Sequence, residues 1–395
     1  MGGDGVMAKL GDICAFQSGG TPSKNKPEYF GGEIPWISTT ALNGGKINEA
    51  DAVAWITPKA IRESAAKIVP ANSIMVGTRV GIGKVAINTV EMSTSQDVIS
   101  LIGIDKDKWY KPYLCKLLLS KKDYFNSQAR GATIKGIKID VVANIDVPEI
   151  DYATQRKVAA TLNKIDTLIV LRKQQLEKLD ELVKARFVEM FGDPADNVNN
   201  LSASPMTAIC QIIDGDRGKN YPKQEEFSDS GFCLFLNAKN VTAQGFSFEN
   251  CTYITEEKDA LLRNGKLCRG DVVLTTRGTI GNLAFYDTSV PYENIRINSG
   301  MVILRMNKQV VSEIFFIEQF KMQLDSIKSR IASGSAQPQL PISTMNKIEM
   351  ILPPIEFQNQ FAAFVERVDQ QKQTVQQGLE KLELMKKALM QEYFG

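Results

Sequence analysis

Residues 158–190 read VAATLNKIDTLIVLRKQQLEKLDELVKARFVEM. Apolar side chains recur along this stretch at alternating spacings of four and three residues. The series is Val158, Leu162, Ile165, Ile169, Arg172, Leu176, Leu179, Val183, Arg186 and Met190. A seam sustained over about four to five heptads predicts a long helix that packs against a second helix as a coiled coil.

The same spacing returns about 200 residues later. This second series is Phe361, Val365, Val368, Lys372, Val375, Leu379, Leu382, Lys386, Leu389 and Tyr393. Glutamine, glutamate and lysine fill the flanks of both series. A helix of about 37 residues, rising ~1.5 Å per residue, spans roughly 55 Å. The sequence therefore predicts two long helices, one in each half of the chain.

The polar residues of the two series do not coincide. Arg172 and Arg186 lie where the second series is apolar. Lys372 and Lys386 lie where the first series is apolar. Because polar seam residues select register and partner at a cost in stability, we predict that the two helices pair with each other, antiparallel and within one chain. The alternative is that each helix pairs with another chain.

The segments before the helices also correspond under the same shift. TRVGIGKVA at residues 78–86 aligns with TRGTIGNLA at residues 276–284. Three further matches follow in the same order: residues 98–101 with 301–304, residues 131–133 with 334–336, and the LEKL of residues 176–179 with that of 379–382. Both halves then reach Phe-Gly, at residues 191–192 and 394–395. This order of matches indicates an internal duplication.

Each half therefore has one plan: a globular head of mixed structure, then a long helix. Short apolar runs bounded by glycine, asparagine and proline predict strands at residues 34–37, 73–76, 85–87 and 98–102. Apolar periodicity predicts helices at residues 110–124 and 312–329. We predict an α+β fold with two similar, loop-rich heads and an antiparallel helix pair, related by an approximate two-fold axis.

The predicted boundaries follow the change of pattern along the chain. They are a leader or cloning remnant at 1–7, the first head at 8–150, a long helix at 151–192, a linker at 193–204, the second head at 205–354 and a long helix at 355–395.

Composition excludes several classes of chemistry. The 395 residues contain no histidine, which excludes Ser–His–Asp and Cys–His nucleophiles and most zinc sites. The 47 basic and 45 acidic residues give a net charge of +2, so any DNA-binding face must come from local clustering. The six cysteines form no CxxC pair, and the chain shows no secretory signal and no apolar run near 18 residues. We expect reduced thiols in a cytoplasmic protein.

Polar, basic loops carry the candidate binding residues. QSGGTPSKNK occupies residues 17–26, and DGDRGKNYPK occupies residues 214–223. Arginine, lysine, asparagine and glutamine supply the donors and acceptors that distinguish base edges in the major groove. The candidates in the first head are Gly20, Thr21, Pro22, Ser23, Lys24, Thr39, Arg79, Lys84, Gln96 and Lys135. Those in the second are Arg217, Lys219, Asn220, Lys239, Arg277, Asn282, Asn298, Gln337 and Gln339. For each of them, the alternative is an ordinary solvated surface or turn residue.

These loops belong to a wider resemblance. SGGTPS at residues 18–23 with IPWI at 34–37, GDRG at 215–218 with NYP at 220–222, and LFLNA at 234–238 resemble the specificity subunits of type I restriction–modification systems. Each half also leads into its helix with proline followed by glutamine, Pro148 to Gln155 and Pro353 to Gln358. The first half has Pro148-Glu149 where the second has a double proline.

The resemblance extends over essentially the whole chain. It implies two target-recognition domains, each followed by a helical spacer, that read an asymmetric bipartite DNA target. It further implies a complex with two adenine-methylating modification subunits and two ATP-driven restriction subunits. S-adenosylmethionine, ATP and Mg²⁺ would then bind those subunits, and this chain would hold no cofactor or metal.

Enzyme interpretations fail on spacing. Gly77 to Lys84 has five residues between Gly77 and Gly83, and Val85 stands where a P-loop needs serine or threonine. No S-adenosylmethionine loop and no Asn/Asp-Pro-Pro-Tyr/Phe stretch is present. EEK at residues 256–258 lacks the preceding Pro-Asp of a nuclease. We therefore expect a chain without catalysis of its own.

Two hypotheses remain. The first is the DNA-recognition subunit of a type I restriction–modification enzyme. The second is a coiled-coil scaffold whose two heads bind proteins. DNA affinity that falls steeply with salt would support the first, and salt-insensitive binding to protein alone would support the second.

Overall fold

The computed structural model describes residues 6–131, 133–332 and 339–395, without the side chains of residues 330–332. The chain divides into two compact units. Unit 1 comprises Met1–Lys173 and Gln377–Gly395, and unit 2 comprises Gln174–Gln376. Each unit therefore contains one head together with one part of each long helix.

Unit 1 contains eleven strands within the described residues. They are β1 Met7–Lys9, β2 Ala15–Ser18, β3 Phe30–Ile37, β4 Lys46–Ile47, β5 Ala54–Ile56, β6 Ile68–Val69, β7 Ile74–Gly77, β8 Val85–Asn88, β9 Met92–Thr94, β10 Val98–Ile102 and β11 Asp146–Pro148. The helices of this head are α1 Leu10–Ile13, α2 Pro58–Glu63, α3 Lys111–Ser120, α4 Lys122–Gln128 and α5 Ile139–Ala143. The first long helix, α6, is Tyr152–Phe191.

Two sheets form the first head. One has the order β2-β10-β7-β8-β4 and the other β5-β3-β9-β6, while β1 and β11 form a separate pair. The first sheet is buried on both faces, which explains its nearly continuous apolar runs. Along β7, Ile74 and Val76 face the core that also contains Tyr113 of α3. Met75 faces the opposite core, with Ile37.

Unit 2 repeats this plan. Its strands are β12 Ala203–Pro205, β13 Cys210–Asp214, β14 Cys233–Leu236, β15 Val241–Thr242, β16 Gly245–Phe246, β17 Tyr253–Ile254, β18 Asp271–Thr275, β19 Leu283–Phe285, β20 Ile295–Ile297, β21 Met301–Met306 and β22 Glu349–Ile351. Its helices are α7 Met206–Ile209, α8 Glu256–Leu261, α9 Glu313–Ala332 and α10 Ile342–Met345, and the second long helix, α11, is Ile355–Phe394.

The sheets of the second head follow the same connections. Their orders are β13-β21-β18-β19 and β17-β14-β20, with two-stranded pairs β15-β16 and β12-β22. β14 pairs parallel with β20, as β3 pairs parallel with β9 in the first head. Alternation again buries both faces, since Val272 and Leu274 of β18 lie in one core and Val273 in another. The predicted duplication thus extends to strand pairing.

The helices pair antiparallel within each unit, as the seams predicted. In unit 1, Lys386 of α11 lies 2.6 Å from the Asp166 carboxylate of α6, and Lys173 lies 3.2 Å from Glu383. In unit 2, Lys372 of α11 lies 2.7 Å from Asp180 of α6. The two lysines that interrupt the second seam thus bind carboxylates of the facing helix, which fixes the register of the pair.

A glutamine joins each head to the start of its long helix. Gln155 accepts a hydrogen bond from Tyr110 N–H at 2.8 Å and donates to the carbonyls of Lys108 and Ile150. Gln358 accepts one from Ser312 N–H at 3.0 Å and donates to the carbonyls of Val310 and Pro353. Both amides are almost fully buried. Because their hydrogen bonds are satisfied, each holds the first turn of a long helix against α3 or α9.

Three boundaries differ from the prediction. Met7, assigned to the leader, is the first residue of β1 and pairs with Pro148. Ala203 and Ser204, assigned to the linker, belong to β12 and pair with β22. The predicted helix at residues 110–124 is divided into α3 and α4 at Lys121. Backbone pairing with distant strands, which local composition does not reveal, accounts for the first two.

Two whole-chain features complete the fold. All six cysteines are unpaired thiols. None of the helices in the described ranges combines the length and the apolar character that a membrane span requires.

Candidate nucleic-acid interface

Both heads contain the same Thr-Arg corner after a central strand. Thr78 donates its N–H and its hydroxyl to the carbonyl of Asp97, at 2.8 and 3.1 Å. Thr276 donates the same two groups to the carbonyl of Gly300, at 2.9 and 3.0 Å. The arginine that follows, Arg79 or Arg277, is exposed in each case. The duplicated sequence motif therefore presents, in each head, an arginine that follows a threonine with the same two hydrogen bonds.

A third segment reaches this corner in both heads. Ile137 N–H donates to the Thr78 carbonyl at 2.8 Å, and Leu340 N–H donates to the Thr276 carbonyl at 2.9 Å. Arg130 exchanges backbone hydrogen bonds with Gly136, next to Ile137. This turn places the exposed Arg130 and Lys135 on the same corner as Arg79.

A glycine fixes the candidate loop against the corner. A Cβ on Gly19 would lie 2.2 Å from the Ser95 carbonyl oxygen, and one on Gly215 would lie 2.3 Å from that of Asn298. No other residue fits so close to a backbone oxygen. The loop that follows β2 in the first head therefore starts beside the segment that carries Asp97. The loop that follows β13 in the second head starts beside the segment that carries Gly300.

The first head presents several cations and polar groups there. Lys24, Lys84 and Lys135 are exposed, and the Thr21 hydroxyl bonds the exposed Gln96. The Arg79 guanidinium lies 3.9 Å from the Asp97 carboxylate. Lysines and a guanidinium beside amide and hydroxyl groups form a surface suited to phosphates and base edges.

The second head holds its loop with an acidic brace. Burial alone would raise the pKa of Asp216, but three backbone N–H groups that donate to its carboxylate hold the pKa below the ordinary 3.8. Those groups belong to Gly218, Arg263 and Asn264. The brace fixes the turn from which the exposed Arg217 and Lys219 extend.

Two further contacts orient this loop. The Arg217 guanidinium bonds the Asp214 carboxylate at 3.1 Å and the Ser299 carbonyl at 3.2 Å. The Asn220 amide donates to the Leu261 carbonyl at 3.1 Å. Arg217 is thus positioned, at an exposed site, beside the segment that carries Gly300.

The remaining predicted residues differ in burial and in their contacts. Gly20, Pro22 and Thr39 are buried and pack within the first head, whereas Ser23 is exposed. The Asn282 amide donates to the Val241 carbonyl, and the Asn298 side chain accepts from Gly300 N–H. Lys239 and Gln339 are exposed. Gln337 lies outside the described residues.

Thr39 was a predicted contact, but it is buried, and Thr40 is the exposed residue of this turn. The Ser38 hydroxyl accepts from Thr40 N–H, and Asn237 accepts from Lys239 N–H in the same way. Thr40 is therefore the counterpart of Lys239. A Ser or Asn that caps a short turn was the available signal. Arg130 was also missed, although it directly precedes the aligned residues 131–133.

The structure also argues against the P-loop and nuclease interpretations of two segments. Gly77 to Lys84 is a hairpin turn between β7 and β8, closed by Gly77 N–H to the Lys84 carbonyl at 2.8 Å. A P-loop leads into a helix instead. Glu256 to Lys258 is the first turn of α8, capped by Thr255, and Lys258 binds Glu226 at 2.8 Å. Among the residues the structure describes, no group of three or more cysteine or carboxylate side chains could hold a metal.

A groove lies between the two helices of unit 2, at the edge of their seam. It has a volume of about 900 Å³ and is lined by Leu182, Ala185, Arg186, Glu189, Gln360, Ala363, Phe364 and Arg367. Ala185 and Ala363 are exposed, and Leu182 has 46% of its surface exposed. The equivalent positions in unit 1 are Met385, Ala388 and Ala160, and they are exposed too. Small residues beside an exposed apolar side chain therefore recur in both units.

A comparison with known protein families identifies the family of this chain. Residues 4–181 and 205–384 each match the family described as the type I restriction modification DNA specificity domain. The chain belongs to this family. The two matches cover both heads and most of both long helices, so the internal duplication is a repeat of the family domain.

Individual relatives agree with this assignment. The chain is 25% identical to the type I restriction enzyme MjaIX specificity subunit of Methanocaldococcus jannaschii, over 92% of this chain and 86% of that protein. It is 29% identical to the EcoR124I/EcoR124II specificity subunit of Escherichia coli, over 44% of this chain and 46% of that protein.

Solved structures show the same fold. The type I restriction–modification S subunit of M. genitalium matches with a TM-score of 0.57 and 16% identity, covering 99% of this chain and 96% of that one. A chain described under complex assembly and conformational transition of the type I R-M system matches with a TM-score of 0.61 and 17% identity, covering 99% of this chain and 98% of that one.

Proposed function

We propose that this chain reads DNA for a type I restriction–modification complex and that each head reads one half of an asymmetric bipartite target. One observation carries the proposal: both heads present an arginine from the same Thr-Arg backbone frame, while the loops beside it differ in sequence. A common frame with different side chains is what two unlike half-sites require.

The long helices would set the gap and hold the partner subunits. Each is 40 residues long, which corresponds to about 60 Å at ~1.5 Å per residue. Unit 2 carries the groove at Ala185 and Ala363, and unit 1 has exposed alanines at the equivalent positions, Ala388 and Ala160. Equivalent exposed residues in both units suit two copies of one partner, which we propose to be adenine methyltransferase subunits.

Catalysis would belong to those partners. We propose two modification subunits that bind S-adenosylmethionine and two restriction subunits that bind ATP and Mg²⁺, with this chain holding no cofactor. Base specificity would then reside in this chain and chemistry in the others.

DNA binding by arginine variants tests the proposal. The full-length chain should bind duplex DNA with an affinity that falls steeply as salt rises, because lysines and arginines release counterions from phosphates. Arg79→Ala and Arg277→Ala should each weaken binding about fivefold to tenfold at moderate salt, the size of one lost charge contact. Filter binding or anisotropy over a salt series measures both effects.

Lys178→Ala is the matched control. Lys178 is an exposed cation on α6 that binds Glu181 at 2.6 Å, and it lies outside both heads. Its removal should leave DNA affinity unchanged. Salt-insensitive binding to protein partners alone, with no DNA affinity, would support the scaffold hypothesis instead.

A further inference from the structure

The two Thr-Arg corners differ in the residue that accepts the hydrogen bonds of the threonine. The residue whose carbonyl accepts both of these bonds is Asp97 in the first head and Gly300 in the second. The two threonine bonds match to within 0.1 Å in the two heads, and Gly300 accepts a third bond, from Arg277 N–H at 3.2 Å. At this position the corners therefore differ by the presence or absence of one carboxylate.

That carboxylate is directed at the arginine of the corner. In the first head, Asp97 Oδ1 lies 3.9 Å from the Arg79 guanidinium. The Asp97 side chain is 23% exposed and that of Arg79 is 55% exposed. In the second head, a Cβ on Gly300 would lie 3.9 Å from the Cβ of Arg277. Among the described residues, no carboxylate forms an ion pair with Arg277. The same place is thus charged in one head and neutral in the other.

We propose that Asp97 is a specificity-determining residue of the first head, which restrains Arg79 from sequence-independent phosphate contacts. A partly exposed ion pair is weak and easily displaced. A base edge that accepts two hydrogen bonds, such as that of guanine, competes well for a guanidinium. A phosphate gains less at this site, because the Asp97 charge opposes its own. The inference rests on the proposed DNA-binding function of the heads.

In the second head, a carboxylate restrains a different arginine. There the carboxylate of Asp214 holds Arg217 at 3.1 Å, and the Ser299 carbonyl accepts from the same guanidinium. Arg277 carries no such restraint and would contribute general affinity. The two heads would therefore divide their arginines differently between affinity and base selection.

Reciprocal variants of the full-length chain test this. Asp97→Asn should bind a random-sequence duplex about threefold to tenfold more tightly, with a salt slope steeper by about one unit. Gly300→Asp should weaken that binding by a similar factor and make the slope shallower. The new Cβ would lie 3.3 Å from Asn298 Oδ1, at the end of a side chain that must shift by a few tenths of an ångström to admit it.

The control removes an equal charge elsewhere. Asp107 is exposed in the loop that follows β10, whereas Asp97 precedes that strand. Asp107→Asn should change neither affinity nor slope. Thermal unfolding of each variant should match that of the parent chain, because both carboxylates are partly or fully exposed.

A double-mutant cycle separates restraint from simple repulsion. In an Arg79→Ala background, Asp97→Asn should lose most of its effect, because no arginine is left to release and only the direct repulsion between the Asp97 charge and phosphate is removed. Selection of bound duplexes from a random library should show broader preference in one half-site for Asp97→Asn and no change in the other half-site. A full effect of Asp97→Asn without Arg79, or no effect of Asp97→Asn where Arg79→Ala weakens binding, would overturn the inference. If Arg79→Ala and Arg277→Ala both leave DNA affinity unchanged, the proposed DNA-binding face itself is wrong.

Discussion

Asp166 joins three elements of unit 1. Its carboxylate binds Lys116 of α3 at 2.6 Å and Lys386 of α11 at 2.6 Å. The Lys116 side chain is only 6% exposed. Burial would raise the pKa of Asp166, but hydrogen bonds and the charges of both lysines outweigh burial and hold its pKa below 3.8. One carboxylate therefore ties the first head and both long helices together.

Asp166→Asn should lower the free energy of unfolding of unit 1 by about 2 kcal/mol, because it leaves a buried ammonium without its carboxylate. All three tryptophans, Trp36, Trp55 and Trp109, belong to this unit. Urea unfolding followed by tryptophan fluorescence measures it selectively. Glu28→Gln breaks an exposed pair with Lys59 in the same unit and is the control, which should leave the unfolding midpoint almost unchanged. Equal unfolding midpoints for the two variants would show that Asp166 has no such role.

The ion pairs of Asp166 with Lys116 and Lys386 make the stability of unit 1 depend on pH. The pKa of Asp166 is lower in the folded chain than in the unfolded chain, so its contribution to stability is fully present above about pH 4 and is lost as the pH falls through the folded value. The difference in unfolding free energy between parent and Asp166→Asn should therefore shrink below about pH 4. A difference that stays constant across that range would contradict the lowered pKa.

Single functional residues could be predicted from the sequence where both copies of the repeat contain them. Arg79 and Arg277 were identified because both copies keep the Thr-Arg motif, and both lie exposed in one frame. Thr39 was predicted to contact DNA, but it is buried, because the turn capped by Ser38 exposes Thr40 instead. The carboxylate of Asp97 was missed because its partner lies 18 residues away, a contact that no local pattern reports.

At the scale of elements, the heptad seams predicted both helices and their antiparallel pairing. They did not predict Phe187 and Phe191, which fall outside the four-three series. Phe187 stacks on Phe315 of α9, whereas the contacts of Phe187 with Phe361 of α11 and of Phe191 with Phe315 are edge-to-face, all at centroid distances of 5.1 to 5.4 Å. A seam describes the contact of helix with helix, and these side chains instead dock the helix pair onto the head.

The exposed alanines of the long helices make a prediction of their own. Ala185→Glu should remove one of the two proposed methyltransferase subunits, and Ala185→Glu with Ala388→Glu should remove both, because each charge lies at one proposed docking site where close packing is required. Sedimentation of the chain mixed with the methyltransferase subunit of its own restriction–modification system gives the stoichiometry. The control is Lys178→Glu, on an exposed site outside the groove. Two subunits bound to the double variant would exclude these positions as the docking sites.

For the whole molecule, the internal repeat predicted two heads of one fold, and the family match to both halves confirms it. The sequence did not reveal how the sheets close. Parallel pairs such as β3 with β9 join residues more than 50 positions apart, and their register depends on packing across both cores.

Genome-wide mapping of methylated adenines, in a host that carries this chain with its partner subunits, tests the division of labour between heads and helices. Replacing residues 217–223 with the corresponding loop of a relative should change one half-site, and inserting four residues after Gln174 should change the gap between half-sites or abolish assembly. Maps in which the loop replacement alters both half-sites together, or the insertion leaves the gap as it was, would show that the heads do not read independently or that the helices do not set the spacing.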